Sequence, residues 1–212
     1  MKKCNTLVRM GLALAALVWL TDPCGAQFPP RFPLLKNKEV QKDLKLSEEQ
    51  AAKINDLYAE HSKIDPKNKE SFAKVEKLTE EILGTLTPDQ TKRHKQLQIQ
   101  HHGANALGYD EVVEPLKLTD EQQTKIRETL NEMSAKIKKI VADAGGFKEA
   151  QPKIAELQKK TLADLVKTLT DKQQTQWRTL IGEPFQGTFP PNYLTYFGSG
   201  GIGFPKKDKD KE

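Results

Sequence analysis

The chain has 212 residues, 36% of them hydrophobic, 30% charged and 7% aromatic, with a formal net charge of +5 and two cysteines. The apolar share lies below the ~45–50% usual for globular chains, so a thick multilayer interior is excluded and amphipathic helices with narrow apolar stripes are expected. The charge and the cysteines change once the first residues are read.

Lys2, Lys3 and Arg9 precede an apolar run from Met10 to Leu20, and Cys24-Gly25-Ala26 places small residues where a signal peptidase cuts. Residues 1–26 therefore read as a signal peptide cleaved between Ala26 and Gln27, which predicts an exported, periplasmic protein. The run is shorter than the ~20 residues a bilayer-spanning helix needs, so no membrane span is expected after cleavage. Thr21-Asp22-Pro23 does not suit a lipidated cysteine. Cleavage removes Lys2, Lys3, Arg9 and Asp22, lowering the net charge to +3, and it removes both Cys4 and Cys24. Disulfides, thiolate metal sites and cysteine nucleophiles are thereby excluded from the mature chain.

Residues 27–35 read as an extended segment. Beyond them the chain repeats itself. Val40–Tyr58 aligns without gaps on Val112–Leu130 with eight identities in nineteen positions, and Glu80–Leu97 aligns on Ala163–Leu180. The offset rises from 72 to 83, so eleven residues entered the second copy, expected in longer helices and the turn at Ala144-Gly145-Gly146. Both copies contain Leu-[Ser/Thr]-x-x-Gln twice, as Leu46, Ser47 and Gln50; Leu86, Thr87 and Gln90; Leu118, Thr119 and Gln122; and Leu169, Thr170 and Gln173. This is a capping box: the hydroxyl accepts from the N3 amide, and the glutamine side chain reaches back to the N-cap backbone. Each motif should start a helix, with carboxylates in its first turn and Pro88 at N1. The four leucines are expected to plug into neighbouring helices rather than to staple their own.

Apolar stripes run through Ile54, Leu57, Tyr58 and Ile64, then Phe72, Val75, Leu78, Ile82 and Leu83 behind Asp65-Pro66. The second copy answers with Ile126, Leu130, Met133, Ile137 and Ile140, then Ile154, Leu157, Thr161, Leu165 and Val166. A weaker third helix carries His94 and Leu97 in one copy and Trp177, Leu180 and Ile181 in the other. The predicted fold is all-α, with about six main amphipathic helices in two tandem three-helix units, residues 36–107 and 108–183, joined around Gly103 to Asp110. Residues 184–212 hold six of the 14 aromatics and a Lys/Asp end, and read as a disordered tail. Phe185, Phe189, Tyr193, Tyr196, Phe197 and Phe204 in it are either partner contacts or pack back on the helices.

Four such motifs in a small, charged, exported, cysteine-free chain resemble the Spy/CpxP family of LTxxQ periplasmic stress proteins, over about residues 36–183. The resemblance implies an antiparallel, curved, cradle-like helical fold, usually dimeric, that holds unfolding clients without ATP or contacts an envelope-stress sensor. Some relatives bind zinc, nickel or cobalt. The family typically has two motifs; four in one chain imply both halves of a pseudo-symmetric cradle, as a monomer or a homodimer. The expected partners are unfolded or envelope client proteins. A structural or interaction protein of the envelope without chaperone activity, and a metal-binding stress protein, are the alternatives.

No cofactor and no metal residue is assigned. His94 and His101 lie about 10.5 Å apart along a helix, too far to share an ion, and adjacent His101 and His102 point apart, so His61 or other groups would have to complete a site. No Ser–His–Asp context, phosphate loop or His-Glu-x-x-His occurs, so no enzyme is predicted. The lysines alternate with acids, which argues against nucleic acid as a partner.

Overall fold

A computed structural model describes residues 33–64 and 71–190. The signal segment, the Asp65-Pro66 helix opening and the tail beyond Pro190 lie outside the described residues, as does the side chain of Phe72. Within them the protein is all-helical, with no strand.

The six main helices are α3 (Glu48–His61), α4 (Ser71–Leu83), α5 (Pro88–His102), α7 (Asp120–Asp143), α8 (Phe147–Lys167) and α9 (Asp171–Ile181). Three short ones join them: α1 (Pro33–Lys36), α2 (Lys38–Asp43) and α6 (Asp110–Leu116), with a 3-10 helix at Gly103–Gly108. The turn at α1 replaces the end of the segment expected to be extended. Leu34 and Leu35 are fully buried there, and burying each stabilises by about 2 kcal/mol, which offsets much of the cost of ordering so short a piece.

The apolar residues form two cores. The first gathers Leu34, Leu35, Val40, Leu44, Ile54, Leu57, Tyr58, Leu78, Ile82, Leu86 and Leu97 from α1 to α5. The second takes Val112, Leu116, Ile126, Leu130, Met133, Ile137, Ile154, Leu165 and Trp177 from α6 to α9, together with Ile99 and the 3-10 residues Ala104, Ala106 and Leu107. The second core therefore begins earlier than residue 108. Leu97 and Ile99 are two positions apart, about 200° around a helix, so α5 feeds the first core from one side and the second from the other. Residues 103–108 lack a helical period, and their small side chains let the backbone approach α7 and α8 closely, a packing that periodicity does not reveal.

The eleven-residue insertion lengthens the middle hairpin. Helices α7 and α8 have 24 and 21 residues against 14 and 13 in α3 and α4, and residues 144–146 turn between them. Leu83, placed by its spacing on the α4 stripe, is 38% exposed at the helix end. Its stripe partners Leu78 and Ile82 are buried.

Candidate functional site: two glutamine clasps and a strap

Each of the four motifs forms a complete capping box. Ser47, Thr87, Thr119 and Thr170 accept from the N3 amides of Gln50, Gln90, Gln122 and Gln173, and each glutamine accepts from its own N-cap N–H. The motif leucines Leu86, Leu118 and Leu169 are buried, and Leu46 packs against the first core, as expected of plugs between helices.

The glutamines do more than cap. In the first unit Gln50 Nε2 donates to Gln90 Oε1 at 2.8 Å, and Gln90 Nε2 returns a bond to Gln50 Oε1 at 3.1 Å. The remaining amide protons reach the Thr85 carbonyl from Gln50 and the Lys45 carbonyl from Gln90, at 2.7 and 3.4 Å. The second unit repeats this. Gln122 and Gln173 exchange bonds of 2.9 and 3.0 Å, while their other protons reach the Thr168 carbonyl and the Leu116 and Lys117 carbonyls. Gln50, Gln90 and Gln122 thus each use both donors and accept twice, their full capacity, and Gln173 also takes a bond from the Thr170 hydroxyl at 3.2 Å. The result is a reciprocal clasp, approximately two-fold, that fastens the starts of α3 and α5 together and those of α7 and α9.

Lys45 and Lys117, equivalent in the repeat, both have positive φ, 52° and 51°. Each ends a short helix: Leu46 N–H bonds the Gln41 carbonyl and Leu118 N–H the Val113 carbonyl, the six-to-one pattern of a Schellman stop. Leu-Lys-Leu-[Ser/Thr] is therefore a helix stop, a leucine packed on its unit's core and a helix start in four residues. Capping alone tolerates Glu in place of Gln at N3. The clasp does not, because carboxylates lack the two donors, and the signal for it was Gln at all four N3 positions of a chain rich in Glu.

A second constellation lies on the first unit. Arg93 of α5 holds Asp43 of α2 through two bonds of 2.7 and 3.0 Å and donates to the Glu183 carbonyl at 2.7 Å. Gln100 donates to the Ile181 and Glu183 carbonyls and accepts from Phe185 N–H. Residues 182–190 run from the end of α9 along α5 to the start of α2 as a strap. Asn37 donates to the Thr188 carbonyl, Thr188 N–H donates to Glu39, and His101 Nε2 lies 2.9 Å from the Pro190 carbonyl. Phe185 and Phe189 stack at 4.5 Å and pack on the first core. These two aromatics thus pack back on the helices.

Gly182 begins the strap with φ +60°, and a Cβ there would lie 2.3 Å from the Gln96 side chain. Gly182→Ala is expected to cost about 1–3 kcal/mol, read by urea unfolding; an unchanged midpoint would contradict this close approach.

His94 is 2% exposed with Nε2 buried and without a hydrogen-bond partner. Burial, and then the charge of Lys95, push its pKa down to about 4. It occupies the repeat position of Trp177, so it is a core side chain. Among the described residues no group of three or more His, Cys, Asp or Glu side chains comes together to hold a metal ion, and no helix is long and apolar enough to cross a membrane. Comparison of the chain with protein-family models, curated proteins and solved structures finds no match.

Proposed function

We propose that this chain is exported, and that in the cell envelope it acts as an ATP-independent, chaperone-like binding protein of the Spy/CpxP-like LTxxQ kind. The clasps carry this reading. The four motifs are not scattered caps but two matched fasteners that build two similar helical units in tandem, in keeping with a family motif doubled within one chain. Helices whose outer faces alternate lysine with carboxylate offer a weakly selective, charge-assisted surface for clients.

One observation favours a second reading, an envelope structural or interaction protein without chaperone activity. Among the described residues Leu83 is the one large hydrophobic side chain that is exposed, so the apolar stripes are spent between helices. Light scattering of dithiothreitol-reduced insulin separates the two. The mature chain at a one-to-one ratio is expected to suppress aggregation at least twofold; an undiminished signal leaves the interaction reading.

A further inference from the structure

The strap raises the question of what its seat recognises. Among the described residues, every hydrogen bond from the helices to residues 183–190 ends on a strap backbone atom: the carbonyls of Glu183, Thr188 and Pro190 and the N–H groups of Phe185 and Thr188. The donors and acceptors on the helical side are Asn37, Glu39, Arg93, Gln100 and His101. The strap's own side chains enter the first core only through Phe185 and Phe189, four residues apart. The exposed side chain of Gln186 folds back onto the strap's own Pro184 carbonyl. Binding that takes its polar contacts from main chain and its selectivity from spaced apolar side chains is how extended peptides are recognised.

The seat belongs to the first unit alone. At the positions equivalent to Arg93 and Asn37 the second unit has Gln176 and Tyr109, which cannot reproduce the bidentate grip on a carboxylate or the short side-chain amide. This asymmetry between otherwise matched units points to a dedicated site rather than to a by-product of the repeat.

We infer that the first unit carries a groove for extended polypeptide with phenylalanine side chains four residues apart, and that residues 182–190 fill it in cis as a stand-in. The occupant in trans is an unfolded segment of an exported client with that chemistry, admitted when the strap lifts. This rests on the client-binding reading above, and it supplies the apolar contact surface that the closed chain lacks: lifting the strap uncovers the part of the first core under Phe185 and Phe189.

The probe is a fluorescein-labelled peptide of residues 181–190. A tethered strap competes at millimolar effective concentration, so the wild-type mature chain should bind the peptide weakly. The full-length F185A/F189A chain, whose strap has lost its apolar grip, should bind it at least tenfold more tightly by fluorescence anisotropy. Adding Gln100→Ala to that chain, or replacing both phenylalanines of the peptide by alanine, should abolish the gain. No gain in a chain with unchanged helical circular dichroism would overturn the groove. Should that variant unfold, the wild-type chain answers instead: 5 mM peptide should speed hydrogen exchange at the Phe185 and Thr188 amides, and unchanged exchange counts against the proposal.

Dimeric wild type with monomeric F185A/F189A would show that the strap of a second copy is the occupant, overturning the client assignment. Peptide binding without suppression of insulin aggregation supports the groove while removing the chaperone-like reading. Suppression without peptide binding does the reverse.

Discussion

Gln173→Ala should lower the stability of the second unit by about 3 kcal/mol. The side chain is 9% exposed and serves three roles at once. It closes the capping box of α9, a contribution of about 1 kcal/mol. It also satisfies the Leu116 and Lys117 carbonyls and both polar atoms of the Gln122 amide, and leaving buried polar groups unpaired costs about 1–3 kcal/mol more. The reciprocal geometry makes a sharper claim. Once Gln173 is gone, Gln122 has lost its partner, so Q122A/Q173A should be destabilised by about 1 kcal/mol less than the two single changes added together. Gln173→Glu should be at least as damaging as alanine, because the carboxylate would face the Gln122 oxygen and backbone carbonyls with nothing to donate. Trp177 is the lone tryptophan after Gln27 and lies in the second core, so its fluorescence during urea unfolding reports on this unit. Strict additivity would mean that the two glutamines only cap.

The first unit should be the acid-sensitive half. His94 has a folded-state pKa of about 4 against 6.5 for the exposed imidazole, chiefly because burial penalises the cation and secondly because Lys95 repels it. Between those values the unfolded chain binds a proton that the folded chain refuses, so stability rises with pH across the interval. The contribution is complete above pH 6.5, is lost progressively as the pH falls to about 4, and then levels off. At 1.36 kcal/mol per pK unit the loss amounts to about 3 kcal/mol. His94→Leu, similar in size and unable to charge, should remove this slope while leaving the carboxylate titrations of the rest of the chain in place. Urea midpoints of the two proteins measured at pH 7, 5.5 and 4 should therefore diverge as acid is added; parallel profiles would show that the cation is accommodated. The repeat gives the reason for the asymmetry. Trp177 fills the equivalent place in the second unit with a ring that never ionises.

The secondary structure was legible because its signals are local. A hydroxyl followed three residues later by glutamine satisfies its own helix start wherever it occurs, and Leu78 and Ile82, or Ile126, Leu130, Met133 and Ile137, declare a buried face by spacing alone. The same locality misled at Leu83, which fits the α4 stripe but sits in the last turn and is 38% exposed. Phe185 and Phe189 were ambiguous for the opposite reason. Nothing within ten residues of them says that Gln100, some 85 positions away, will hold the Phe185 amide, since proline- and glycine-rich chain has no period from which to read a partner.

By itself the amino-acid sequence determined that the described chain is helical, where the four helices with capping boxes start, and that they repeat as two units, since caps and amphipathic spacing act over three to seven residues. Only the tertiary structure decided that the motif glutamines bond one another across 40 and 51 residues, that α5 serves both cores, and that residues 182–190 lie along α5 against the first unit. Those outcomes depend on which polar groups are brought together when the cores close. An amide left over after capping its own helix has no preferred partner in the linear chain, and acquires one only when burial makes an unpaired donor costly.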